Sequence, residues 1–117
     1  MAANLDMVIE QGATFEHRLI WKDSTGTEID LTGYSARMHM RAKIADVDFI
    51  MELTDGNGRI TLGGALGTID IEISAEDTAT LTTKNMVYDL EMVIGVAPEH
   101  VTRLVEGKVT LSKEVTR

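Results

Sequence analysis

Cysteine is absent from this sequence, and with it any disulfide framework, thiol nucleophile or thiolate metal site. A reducing cytosol suits such a chain. Proline occurs once, at Pro98, and no Ser/Gly/Pro-rich stretch divides the 117 residues, so residues 1–117 are expected to form one domain. Aromatics are scarce: two Phe, two Tyr and one Trp leave little for the exposed ring platforms on which sugars stack. No run approaches the roughly 20 apolar residues that span a bilayer. The opening Met1-Ala2-Ala3-Asn4-Leu5-Asp6 has neither a basic region nor an apolar core. The expectation is a chain neither exported by a signal peptide nor anchored in a membrane. Positive charge is also short: 11 Lys and Arg stand against 19 Asp and Glu, for a net charge of −8. The densest basic group is Arg37, Arg41 and Lys43, no stripe for a phosphate backbone, so nucleic acid is not an expected partner.

What the chain has is alternation. At 44% hydrophobic and 26% charged it has the composition of a folded globular domain. Its apolar residues recur at every second position, as strands with one dry face require. Between Tyr34 and Arg41 the rhythm is strict, with Tyr34, Ala36, Met38 and Met40 inward and Ser35, Arg37, His39 and Arg41 outward. From Thr14 to Lys22 the residues Phe15, Leu19 and Trp21 share a face, blurred by His17 and Ile20. Phe49, Met51 and Leu53 form another, and Asp55-Gly56-Asn57-Gly58 then predicts a tight hairpin turn. Ile60 and Leu62, a glycine-rich loop, and Ile69, Ile71 and Ile73 predict a second hairpin with a longer connection. Val87 to Ile94 alternates again, with Tyr88, Leu90 and Met92 inside.

Ser74-Ala75-Glu76-Asp77 carries a hydroxyl three residues before a carboxylate, which predicts a capped helical turn running on from Thr78 to Leu81. In the last stretch Val101, Val105, Val109 and Leu111 are in phase. Leu104 is not, which turns Arg103 inward unless a bulge, expected at Gly107, resets the register. Met38, Met40, Met51 and Met92 read as core, whereas Met7 and Met86 are candidates for an adaptable contact surface. The fold class that follows is all-β: an antiparallel, immunoglobulin-like β-sandwich of about seven strands with one short helical turn.

Chemistry finds little to work with. His17, His39 and His100 lie on three separate segments at spacings that match no metal motif. Asp70 with Glu72, and Asp89 with Glu91, each put two carboxylates on one strand face. Both pairs back onto apolar faces, as solvated sheet surfaces do, and Arg37, His39 and Arg41 offer them cross-strand partners. Asp55 to Gly58 matches the start of a calcium loop, but Arg59 and Leu66 stand where oxygen ligands are required. The glycines of residues 56–67 are followed by no Gly-Lys-Ser/Thr, and no serine sits in a Gly-x-Ser-x-Gly elbow. No catalytic, cofactor-binding or metal-ligating residue is therefore assigned.

Several stretches in order do carry a resemblance. They are Gln11-Gly12-Ala13-Thr14-Phe15, Trp21-Lys22-Asp23, Ile29 to Met38, Ile60-Thr61-Leu62-Gly63-Gly64, Gly67-Thr68-Ile69, Ser74 to Leu81, Tyr88-Asp89-Leu90-Glu91 and Arg103 to Ser112. This order resembles small virion proteins of tailed phages and prophages. More distantly, it is similar to the N-terminal β-sandwich domain of phage upper baseplate proteins. The resemblance implies an architectural role without enzymatic activity. In the baseplate relatives further receptor-binding or oligomerising modules follow, whereas this sequence ends at Arg117, so a stand-alone adaptor or decoration subunit is expected.

The functional expectation is accordingly a virion structural protein, an adaptor of the tail or baseplate region made in the host cytoplasm. Its expected partners are other virion proteins and copies of itself, with no nucleic acid, membrane or small-molecule substrate. Capsid decoration is the alternative within that class; a soluble glycan- or ligand-binding module is the alternative outside it. Sandwich edges pair readily with other chains. The expected assembly contacts are therefore Leu5, Met7, Val8, Ile9 and Glu10 near the start, and Ser112, Glu114, Val115 and Arg117 at the end.

Overall fold

The strict alternation of Tyr34–Arg41 folds as a strand over those same residues, with Ala36, Met38 and Met40 buried and Ser35 and Arg37 exposed. In chain order the computed structural model, which describes residues 2–95 and 98–116, contains β1 (Ala3–Asn4), β2 (Met7–Glu10), β3 (Phe15–Ile20), β4 (Tyr34–Arg41) and β5 (Met51–Thr54). These are followed by β6 (Ile60–Leu62), β7 (Thr68–Ile73), a short helix α1 (Ala75–Ala79), β8 (Asn85–Ile94) and β9 (His100–Ser112). A single 3-10 turn, Gly64–Leu66, lies in the loop between β6 and β7.

The strands form two sheets. The larger runs β1-β9-β8-β4-β5, with β2 also on β9; the smaller runs β3-β7-β6. β3, β7 and β6 thus stand where strands B, E and D of an immunoglobulin domain stand, and β9, β8, β4 and β5 where G, F, C and C′ stand. Between the sheets lies one apolar core, drawn from Met38, Met40, Leu53, Leu90 and Met92 on one side and Ile60, Ile69, Ile71 and Ile73 on the other. Each such side chain taken wholly out of water contributes about 1.5–3 kcal/mol. The all-β sandwich is therefore as expected, but its strands number nine among the described residues. It is also not purely antiparallel, because β1 and β2 pair in parallel with β9.

Three local expectations are corrected. The turn at Asp55–Gly58 closes no hairpin: β5 pairs with β4, β6 pairs with β7, and the turn carries the chain from one sheet to the other. Gly58 does take the positive φ (80°) that such a turn needs. Asn57 fastens the turn, its side-chain oxygen accepting from the amides of Thr54 and Arg59 at 3.0 and 3.1 Å. Second, the register slip in β9 falls at Leu104 and not at Gly107, since Leu90 pairs with Val105 and Glu91 with Arg103. Leu104 is the extra residue, and Arg103 consequently points to solvent. Gly107 instead permits a close crossing, because a Cβ there would run into the Leu5 carbonyl and the Asp6 carboxylate where the N-terminal strands pass β9. Third, Met7 and Met86 are 7% and 1% exposed and belong to the core, not to a contact surface.

The helix starts earlier than Thr78, but its cap is the one expected. Ser74 Oγ accepts from the Asp77 amide at 3.1 Å, and Glu76 and Asp77 occupy the first turn. Its Thr78 is fully buried yet satisfied, because Oγ1 accepts from the Gly12 amide (3.0 Å) and lies 2.9 Å from the Ala13 carbonyl to which it donates. Gln11 completes this clamp, donating to the Leu81 carbonyl at 2.7 Å and accepting from the Glu114 amide at 2.9 Å.

Candidate interaction surface

The two segments expected to make contacts come together on one margin of the larger sheet. β2 runs alongside the end of β9, with Val8 opposite Thr110 and Glu10 opposite Ser112. The Gln11 amide then donates to the Ser112 carbonyl at 2.9 Å. Within that margin the roles divide. Met7 and Ile9 are buried, so as side chains they serve this chain's own core and not a partner. Leu5 is half-buried and tied inward, its amide donating to Glu106 O (2.9 Å) and its carbonyl accepting from the Tyr88 hydroxyl. Val8, at 61% exposed, and Val115, at 90%, face out, as do Glu10 and Ser112, while Glu114 is half-buried. Arg117 lies outside the described residues. The flank of β2 away from β9 is the sheet's margin, where backbone groups face outward.

A second feature on the same sheet escaped the sequence reading. The outer face of β4, β8 and β9 is hollowed into a trough of about 530 Å³, bordered by Asn4 on one side and Ile44 on the other. Its floor is laced by ion pairs, one of them set directly by strand register. Arg37 is opposite Glu91 in register and Nε meets the carboxylate at 2.8 Å. That hydrogen bond, more than the charge itself, raises the Arg37 guanidinium above its ordinary pKa. Arg103 reaches Asp89 at 3.4 Å and Glu106 at 3.6 Å. The expected cross-strand pairing of β4 with an acidic neighbour is thus present, although His39 turns to Glu52 on β5 and not to Asp89.

His39 organises the trough's rim. An arginine only donates, so the Arg41 Nη2 contact at 3.1 Å makes His39 Nδ1 the acceptor and leaves the proton on Nε2, which donates to Glu52 at 2.9 Å. The imidazole lies against Phe49, ring centres 4.7 Å apart. Arg41 also donates through Nη1 to the Val47 carbonyl at 2.9 Å. These contacts fasten the 42–50 loop to β4, while Ile44 and Val47 are 86% and 93% exposed. The sequence signal for this loop was faint: two lone aliphatics in the non-alternating Ala42-Lys43-Ile44-Ala45-Asp46-Val47-Asp48.

The outer face of the smaller sheet differs. There Arg18 and Asp70, opposite in register, form a forked pair at 2.6 and 2.9 Å that lowers the Asp70 pKa, chiefly through the hydrogen bond. Glu16 and Glu72 flank it in mutual register, making that face acidic. The three histidines remain apart, His17 on β3, His39 on β4 and His100 at the start of β9. Among the described residues, no three His, Asp or Glu side chains gather as a metal site, and no helix is long and apolar enough to cross a membrane. What the trough and the adjoining margin provide is surface: paired charges, exposed aliphatics and an open strand. No family profile matches the sequence, and no curated protein is detectably similar to it.

Proposed function

We propose that this chain is a non-enzymatic structural subunit of a tailed-phage virion, an adaptor in the tail or baseplate region that works by burying surface against neighbouring subunits. The observation that carries this reading is the meeting of both chain ends on one sheet margin, where Val8 and Val115 are exposed and the backbone of β2 lies at the sheet's edge. A strand added there gains a ladder of hydrogen bonds without disturbing the core. The ordered motifs that resemble small virion proteins support the same reading. Some of them are strands in this fold, as Tyr88 to Glu91 in β8 and Arg103 to Ser112 in β9 are, and others are clamps, as Gln11 and Gly12 are against α1, which is the work expected of a rigid building block.

Immunogold labelling of intact particles, with antibody raised against the folded chain, tests the proposal. Gold at the tail or baseplate is the predicted result. Gold distributed over the head would make the chain a capsid decoration protein, and unlabelled particles would overturn the virion reading altogether.

A further inference from the structure

Two copies of a chain with net charge −8 repel one another unless they meet through a face that does not share the excess. The trough is such a face. Arg37, Arg41, Arg103 and Lys108 line it against Asp89, Glu91 and Glu106, and with Glu52 and Glu99, which reach His39 and Arg37 at its border, the face holds four cations and five carboxylates, leaving seven cations and fourteen carboxylates to the rest of the chain. The face is also large enough. β8 has ten residues. At about 3.4 Å per residue, with strands about 4.8 Å apart, the β9-β8-β4-β5 face covers about 600 Å². Two such faces bury about 1,200 Å², the lower end of what stable complexes use.

Geometry adds an anchor. Ile44 at the trough's rim and Val47 farther along the same loop stand nearly wholly in water, yet their loop is fastened through Arg41 to His39 and the sheet. Apolar side chains held out on a fixed loop lose little freedom on docking, which is the condition under which exposed apolar groups contribute most to affinity. A two-fold axis over the trough would set the Ile44 and Val47 of each copy into the hollow of the other. It would also bring each copy's cations toward the other's carboxylates, as the self-complementarity of a two-fold contact requires.

We propose that the outer face of the larger sheet is a homodimer interface, with Ile44 and Val47 as reciprocal anchors and a second copy of this chain as the occupant. The inference is independent of the virion reading. It is tested by sedimentation velocity on the full chain between about 1 µM and about 1 mM, the range in which modest association is read. The wild type should move from 12.8 kDa toward twice that mass as concentration rises. Ile44→Asp with Val47→Asp should weaken association at least about tenfold, as loss of a central anchor does. Arg103→Glu should also weaken it. Leu66→Asp, at an exposed residue of the β6–β7 loop, should leave it unchanged, and all variants should keep the wild-type circular dichroism. A wild type that sediments at the single-chain mass throughout would overturn the proposal. So would a dimer indifferent to the Ile44/Val47 double variant.

Discussion

The Tyr88 hydroxyl donates its hydrogen to the carbonyl of Leu5, 83 residues away in sequence. That bond fastens the N-terminal crossing between β1 and β2 to the middle of β8, and it gives the hydroxyl of a buried tyrosine its partner. Tyr88→Phe keeps the ring and removes the bond. It should lower the unfolding free energy by about 1 kcal/mol, measured by urea titration.

The same residue sets an alkaline limit. Burial, with a smaller contribution from Asp6, raises the Tyr88 pKa to about 12. An unfolded tyrosine titrates near 10. The unfolded chain therefore releases this proton first, so the contribution to stability is complete below about pH 10 and is lost as pH rises toward 12. Urea midpoints measured across that interval should fall for the wild type and fall less steeply for Tyr88→Phe. Equal slopes would remove Tyr88 as the cause.

On the acid side the sign reverses. Asp70, bonded to Arg18, and Asp77, bonded to Arg59, both have lowered pKa values. Their contributions are present above the ordinary carboxylate range and are lost as pH falls through the lowered values. Both pairs are partly exposed, with side chains from 29% to 64% accessible, so the effect is small. Asp70→Asn should flatten the acid limb of the stability profile slightly while changing stability at pH 7 by less than about 1 kcal/mol.

Thr78→Val preserves shape at the helix and deletes the hydroxyl that meets the Gly12 amide and the Ala13 carbonyl. Both backbone groups lose their partner, which costs about 1–3 kcal/mol. Amide exchange at Gly12 should accelerate with it. An unchanged urea midpoint would mean that the clamp between the β2–β3 turn and α1 does not stabilise the fold.

Gly107→Ala tests the crossing of the N-terminal strands over β9. The added methyl meets backbone at Leu5 and the side chain of Asp6, whose Oδ1 accepts from the Lys108 amide at 2.9 Å. We expect a loss of about 1–3 kcal/mol, typical of an overpacked site. Exchange should quicken at Leu5 and Lys108 but not at β3 or β7.

Much of this architecture is legible in the sequence wherever one buried face imposes a rhythm of two. β4 is read to its terminal residues, and the Ser74 cap is read because serine and the acidic first turn are local signals. Sequence fails where the partner is remote. Asp55 to Gly58 announces a turn, yet nothing in those four residues says whether the next strand returns along β5 or crosses to the other sheet. Leu104 is visibly out of phase, but the position of the bulge depends on pairing with β8. Parallel pairing of β2 with β9 joins residues about a hundred positions apart. It turns Met7 and Ile9 from presumed contacts into core, leaving Val8 as the outward residue. The trough is invisible for the same reason, since it exists only once three strands lie side by side.

That this chain acts by occupying a place in a particle is tested most directly by quantitative mass spectrometry of density-purified particles. The predicted result is a constant molar ratio between this chain and another virion protein across independent preparations, maintained after high-salt washing. Recovery of the chain only in the soluble fraction, with none in purified particles, would contradict the claim.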